Sequence, residues 1–185
     1  MRSAYRDMMC LVAAADVAHT VDSAERQAPR RDTSERLTEL AEAALTAALA
    51  VAVATVYPNA GEAPGRLAII AMGKCGAREL NYISDVDVVF AAEPADAKTA
   101  RLAAEFMSIG THCFFEVDAA LRPEGKKGDL VRSVGSHLAY YKRWAKTWEF
   151  QALLKARPMT GDMELGQEYF DAIYPLVWTA CERDQ

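Results

Sequence analysis

Residues 72–90, MGKCGARELNYISDVDVVF, set a glycine-flanked lysine ahead of two aspartates that fall within a run of valines. Val86, Val88, Val89 and Phe90 make that run read as a buried strand. In a strand, residues two apart share a face, so Asp85 and Asp87 project together. Their carboxylates then lie within roughly 5–7 Å, taking two strand rises as the guide. Two unpaired charges about 4 Å apart repel by on the order of 4 kcal/mol at an effective dielectric near 20. A fold keeps such a pair where something cationic sits between them. Carboxylates that bridge Mg²⁺ ions in phosphoryl transfer need this arrangement.

The sequence around the pair supplies the rest of a candidate site. RLAIIAM, residues 66–72, is a short apolar run that fits a buried strand, and Gly73 and Gly76 then turn the chain into a short helix expected over residues 77–81. A strand–glycine–helix junction presents backbone N–H groups to phosphate oxygens, and Lys74 adds a point charge there. The turn is neither GxxxxGK[ST] nor GxGxxG, so alone it carries little. Ser84 is placed to cap or hydrogen-bond at the entrance to the acidic strand. After EPADAK, a helix over about residues 99–112 leads to FFEVDAALRP, read as a strand of strict alternation. Phe115, Val117, Ala119 and Leu121 share one face of it. Glu116, Asp118, Ala120 and Arg122 share the other. Asp118 is therefore the third carboxylate, with Glu116 as runner-up.

Each of these features has a plainer reading. An isolated Asp-x-Asp is most often a solvated strand end, two glycines are most often a tight turn, and a lone aspartate is most often surface. Arg122, Lys155 and Arg157 read equally well as exposed cations or as anion contacts. The tryptophans read as core rather than as a base-stacking platform. The order of glycine turn, paired acids on the next strand and third acid one helix later favours a catalytic site.

The remaining sequence bounds the class. The chain has 185 residues, 51% of them apolar, and a formal net charge of −5. That suits one globular domain with a real core, or a small domain with a helical appendage. The acidic balance argues against nonspecific DNA or RNA binding, which needs clustered Lys and Arg. Four scattered cysteines (Cys10, Cys75, Cys113, Cys181) without a CxxC pair read as reduced thiols of a cytoplasmic protein. The dispersed histidines give zinc no support. The opening MRSAYRDMMC shows no secretory leader. AEAALTAALAVAVATVY, residues 41–57, is mostly alanine and carries Glu42, so a buried helix is expected rather than a membrane span.

Residues 1–60 read as a helical segment. One helix runs over about residues 4–26, with Tyr5, Met9, Val12 and Asp16/Val17 on a partly apolar face. A second begins at an Asp32 N-cap with Glu35 completing a capping box, and continues to about residue 56. It is apolar nearly all round toward its end, so other elements should enclose it. Residues 66–135 form the expected catalytic core. Residues 136–185 read as helical again, with Leu138, Tyr141, Trp144/Ala145 and Trp148 at helical spacing, an interruption at Pro158 and a last helix after Asp162.

The ordered set Gly73, Ser84, Asp85, Asp87 and Asp118 resembles the polymerase-β-like nucleotidyltransferases. MGKCGARELNYISDVDVVF, EVDAALRPEG and WEFQALLKARPMTGD resemble the repeated motifs of the bifunctional glutamine synthetase adenylyltransferase/adenylyl-removing enzymes. The likeness is strong over about residues 66–162 and reaches much of residues 1–60. AMGKCGAREL and YYKRWAKTWEFQALLKAR look actinobacterial. The resemblance implies an α+β fold: a small mixed sheet with flanking helices, an N-terminal helical hairpin and C-terminal helices. Family members carry two such domains, the amino-terminal one removing AMP from a glutamine synthetase tyrosine and the carboxy-terminal one attaching it. This chain is too short for both and looks like one excised copy. ARELNYISD and Tyr140–Tyr141 look more like the removing copy.

The resemblance further implies Mg²⁺ held by Asp85, Asp87 and Asp118, with Gly73, Lys74, Ser84, Arg122, Lys155 and Arg157 around nucleotide and phosphate. Expected partners are glutamine synthetase, ATP or ADP, phosphate and, through the full-length enzyme, a PII-type signalling protein. The family commonly has VDxRLRP, and here Ala120 replaces the inner arginine. That removes one phosphate-side cation and leaves a larger task for Arg122. The ATP-dependent attaching copy, another nucleotidyltransferase such as a uridylyl-transferring enzyme, and a catalytically silent scaffold of the same fold are the competing expectations.

Overall fold

The computed structural model describes residues 1–22, 31–59 and 65–180. Two long helices, α1 (Arg2–Asp22) and α2 (Arg31–Val56), precede strand β1 (Arg66–Ala71), the single-turn helix α3 (Gly73–Gly76) and strand β2 (Val86–Glu93). Helix α4 (Ala97–Cys113), two-residue strands β3 (Val117–Asp118) and β4 (Val131–Arg132), helices α5 (Val134–Arg143) and α6 (Thr147–Leu153), strand β5 (Arg157–Gly161) and helix α7 (Met163–Ala180) complete the chain. The α+β class expected from sequence holds, with a small mixed sheet between helices.

The sheet runs β3-β2-β1-β5. β1 is antiparallel to both β2 and β5, whereas β3 and β4 pair parallel with β2. β3 pairs with the start of β2 (Val86↔Val117, Asp87↔Asp118), and β4 with its second half (Phe90↔Val131, Ala91↔Arg132).

Alternation along the strands feeds two cores. Leu67, Ile69, Ala71, Val88 and Phe90 pack with Leu45 and Ala48 of α2 and Phe106 of α4. Ala68, Ile70, Val89 and Ala91 face Tyr141, Phe150, Leu165 and Tyr169 of α5, α6 and α7. By the same alternation Asp87 belongs with Val89 and Ala91, at the outer end of that face.

Several elements differ from their sequence expectation, each for a local reason. Arg78 adopts φ 60°. An α-helix cannot run through that left-handed geometry, so the helix turns at residues 73–76 and not at 77–81. The alternating strand expected from FFEVDAALRP is cut to two residues: Asp118 Oδ1 accepts the Ala120 N–H at 2.8 Å, a local turn that replaces ladder pairing. The helix expected through residues 136–157 breaks between α5 and α6, and Trp144, Trp148 and Trp178 are all exposed rather than core. Pro158 lies in a strand, β5, which the helical reading missed. β5 occupies a sheet edge with a register shift beside it, where a proline is tolerated.

Helix α2 buries one stripe, Leu37, Ala41, Leu45, Ala48 and Ala52, and leaves Val51 exposed, so it is not enclosed all round. Residues 33–56 are long and apolar enough to cross a membrane by length and composition alone. Asp32 falls inside α2 rather than before it; its side chain and the expected end of the first helix at Arg26 lie outside the described residues. Cys10, Cys75 and Cys113 are free thiols, and Cys181 lies outside the described residues.

His137 sits in the second core, with Nε2 3.2 Å from the Phe90 carbonyl oxygen. Burial pulls its imidazole down to about 4, against the opposing pull of that hydrogen bond. The unfolded chain therefore takes up the proton first as pH falls below the ordinary histidine value near 6.5. We expect the stability of the wild type relative to His137→Gln to fall by about 3 kcal/mol between pH 7 and pH 4. Urea midpoints across that range check it, and a flat difference would contradict it.

Candidate active site

The site is built where β1 ends and β2 begins. The Met72 N–H donates to the Asp87 carbonyl at 2.9 Å, which ties the end of β1 to the acidic strand. Gly73 then adopts φ 53°, and a Cβ there would stand 2.9 Å from Asp87 Oδ2. Glycine is required on both counts: the left-handed backbone and the close approach of the carboxylate. One turn of helix follows, closed by Gly76 N–H to the Met72 carbonyl at 2.9 Å. The first amides of such a turn have no partner within it.

Asp85 lies just before β2 and is exposed, while Asp87 is the second residue of the strand and half-buried. Asp118 is the register partner of Asp87 on β3. Burial pushes the Asp87 carboxyl above the usual carboxylate range. The negative charges of Asp85 and Asp118 push it the same way, and Lys74 opposes them. The three carboxylates and the lysine thus share one electrostatic neighbourhood, as expected for a place that receives a cation.

The acids are not drawn together into a cage. Among the described residues no three His, Cys, Asp or Glu side chains are close enough to hold a metal ion as they stand. Asp118 is turned toward the Ala120 amide and toward Lys126 Nζ at 3.8 Å. In donor chemistry Asp85, Asp87 and Asp118 still fit a divalent cation, with hard carboxylate oxygens; Ser84, the residue before Asp85, makes no cap, and its Oγ is buried without a hydrogen-bond partner. The Glu116 side chain is exposed, and its backbone carbonyl accepts the Val86 N–H at 2.9 Å.

The three candidate cations are all engaged. Arg122 donates to the carbonyls of Ala119 (2.7 Å), Gly128 (3.1 Å) and Lys126 (3.1 Å), so it staples the loop after β3. Lys155 pairs with Glu79 at 2.7 Å. Arg157 donates to the carbonyls of Gly76 (3.1 Å) and Cys75 (3.2 Å) and forms an ion pair with Glu42 of α2.

Sequence reading missed Glu42 as part of this assembly. Its one signal was a carboxylate on the apolar side of α2, which needs a buried partner. The guanidinium fork, not the charge alone, clamps the glycine turn. Arg157→Lys is expected to cost about 1–2 kcal/mol. It should also expose Cys75, whose thiol burial pushes up to about 12, to faster modification by a disulfide reagent. Unchanged Cys75 kinetics would contradict the clamp.

The family model described as glutamate-ammonia ligase adenylyltransferase matches residues 1–172. The chain belongs to that family. It is 68% identical over 183 residues to the bifunctional glutamine synthetase adenylyltransferase/adenylyl-removing enzyme of Nocardia farcinica, covering 99% of this chain and 18% of that protein. The proteins of the same name from Corynebacterium efficiens and Mycobacterium tuberculosis are 63% and 59% identical, each across 100% of this chain and 18% of their own length. The actinobacterial likeness expected from AMGKCGAREL therefore holds. The chain spans about a fifth of the length of these glutamate-ammonia ligase adenylyltransferase relatives.

Proposed function

We propose that this chain is a nucleotidyltransferase module acting on glutamine synthetase, and that it removes AMP from an adenylylated tyrosine by phosphorolysis. Phosphate attacks the phosphorus of the AMP–tyrosine diester, the bond to the tyrosine oxygen breaks, and ADP and a free tyrosine hydroxyl result. The observation that carries this reading is the pairing of Asp87 with Asp118 across parallel strands beside the Gly73 turn, in a chain of the adenylyltransferase family. ARELNYISD and Tyr140–Tyr141, which resemble the removing copy, support the direction.

Adenylyltransferases generally work with a divalent metal. Asp85, Asp87 and Asp118 would hold Mg²⁺ here. The ion would neutralise charge on the transferring phosphate. The Gly73 backbone and Lys74 hold the attacking phosphate, which becomes the β-phosphate of ADP, and Ser84 Oγ supplies one further polar contact. Lys155 and Arg157 act on the same anions indirectly, through Glu79 and through the carbonyls of the glycine turn. Arg122 keeps the loop beyond Asp118 in place. Catalysis here is chiefly positioning and charge stabilisation. In the longer polypeptide, a PII-type protein would set when the module works.

The test is to incubate the chain with adenylylated glutamine synthetase, phosphate and Mg²⁺ and to measure ADP. ADP release supports the removing direction. Consumption of ATP with AMP attached to unmodified glutamine synthetase would reverse it. Absence of both reactions would end the nucleotidyltransferase reading.

A further inference from the structure

Lys126 Nζ stands 3.8 Å from Asp118 Oδ2, one of the three acids of the candidate site. That is an ion-pair distance, too long for a hydrogen bond, and the Lys126 side chain is 76% exposed. An exposed pair of this kind adds little to stability. The ammonium therefore keeps its three N–H donors open to solvent beside the acids.

The loop that carries Lys126 is held far more firmly than such a pair requires. Arg122 donates to the carbonyl of Lys126 itself, and to those of Ala119 and Gly128. Glu124 pairs with Arg132, and the Glu124 N–H approaches Tyr140 Oη at 3.4 Å. Tyr140 Oη in turn donates to buried Glu149 at 2.9 Å. The Gly128 N–H closes the turn onto the Gly125 carbonyl at 3.1 Å. A fixed backbone thus presents a flexible ammonium to Asp118, the strand partner of Asp87. The neighbouring cations are placed differently. Arg122, Lys155 and Arg157 are committed to carbonyls or carboxylates of the fold. Lys74 acts on Asp87 from the glycine turn, whereas Lys126 reaches the acids from the β3 side.

We propose that Lys126 binds the attacking phosphate and so selects phosphate over water as the nucleophile. The inference rests on the proposed phosphorolysis. A compact ammonium on a flexible stem suits a phosphate as a point charge. A cation on Asp118 would leave that ammonium facing like charge, and the phosphate is the anion then at hand. Either nucleophile breaks the bond between phosphorus and the tyrosine oxygen, and its proton passes to that oxygen. Phosphate leaves ADP; water leaves AMP. Removing Lys126 takes a counter-charge from the anionic nucleophile and nothing from the neutral one.

The experiment compares the chain as wild type, Lys126→Gln, Lys126→Arg and, as a neighbour control, Lys127→Gln. Binding of inorganic phosphate in the presence of Mg²⁺ is measured by equilibrium dialysis, which needs no turnover. ADP and AMP released from adenylylated glutamine synthetase are measured over a range of phosphate concentrations. Lys126→Gln is expected to weaken phosphate binding and raise the phosphate KM about tenfold, with the KM for the protein substrate within about twofold of wild type. The share of AMP among its products should rise. Lys126→Arg keeps the charge and should retain phosphate binding, and Lys127→Gln should match wild type. Equal phosphate binding by wild type and Lys126→Gln, an equal loss in Lys127→Gln, or no phosphate binding by wild type would overturn the proposal. ADP release by wild type alongside any of these would leave phosphorolysis standing. Weakened phosphate binding in Lys126→Gln alone, with no ADP from any form, would keep Lys126 as the phosphate contact and end the phosphorolysis reading instead.

Discussion

Asp87→Asn is expected to lower turnover about 10³-fold or more while leaving the thermal midpoint unchanged or higher. The two effects share one cause. The Asp87 carboxylate is partly buried against Gly73, and the charges of Asp85 and Asp118 act on it with the same sign. Its folded-state acidity is therefore weakened, so the ionised form opposes folding at neutral pH. Asparagine keeps the shape and removes the repulsion. It also removes a hard anionic oxygen from the place where a cation would be held. Added Mg²⁺ should accordingly raise the midpoint of the wild type and leave that of Asp87→Asn where it was. Near-native turnover, or a fall in midpoint of several degrees, would contradict this role for Asp87.

Gly76→Ala is expected to cost about 4 kcal/mol, a large share of the roughly 5–15 kcal/mol by which a domain is stable. A Cβ at that position would stand 1.9 Å from the Lys155 carbonyl oxygen and 2.7 Å from that of Ala71. Both obstacles are backbone. Relief would have to move β1 or the segment leading into β5, and those strands are paired to each other in the sheet. The Gly76 carbonyl is also one of the groups held by Arg157, so movement would disturb the clamp on the glycine turn. Circular dichroism melts check the expectation. A variant within 1 kcal/mol of wild type, with roughly that loss as the measurable limit, would show that the turn yields more easily than its contacts indicate.

What was legible in the sequence was the segment where local pattern and tertiary role coincide. The valine run at residues 86–90 and the glycines before it placed β1, the turn and β2 correctly, because a doubly covered strand reads as a continuous apolar run. Asp162 also marked the head of the last helix, where its carboxylate accepts the Leu165 N–H at 2.8 Å. Elements decided by distant contacts were hidden. β5 is a strand only because β1 offers it an edge, and its Arg157-Pro158 start reads locally as a helix break. β4 is two residues long and rests on β2 alone. The tryptophans at helical spacing suggested a core face, yet the chain breaks at residues 144–146 and leaves Trp144 and Trp148 in solvent.

Order along the chain anticipated that Asp118 would pair with Asp87 beside the glycine turn, but not that the three acids stay apart. The tasks of Arg122 and Arg157 could not be read from it. Both point at backbone carbonyls that only the folded loops bring within reach. Glu42, more than a hundred residues before Arg157 in sequence, becomes its partner only when α2 lies against β5.

Asp85, Asp87 and Asp118 together with the Gly73 turn are proposed to form one site for a divalent cation and a nucleotide. Calorimetric titration of wild type and Asp87→Asn with ADP, each with and without Mg²⁺, tests it most directly. The expected result is saturable Mg²⁺-dependent binding by wild type that is lost in Asp87→Asn. Binding that is absent from wild type, or equal in the two proteins, would contradict it.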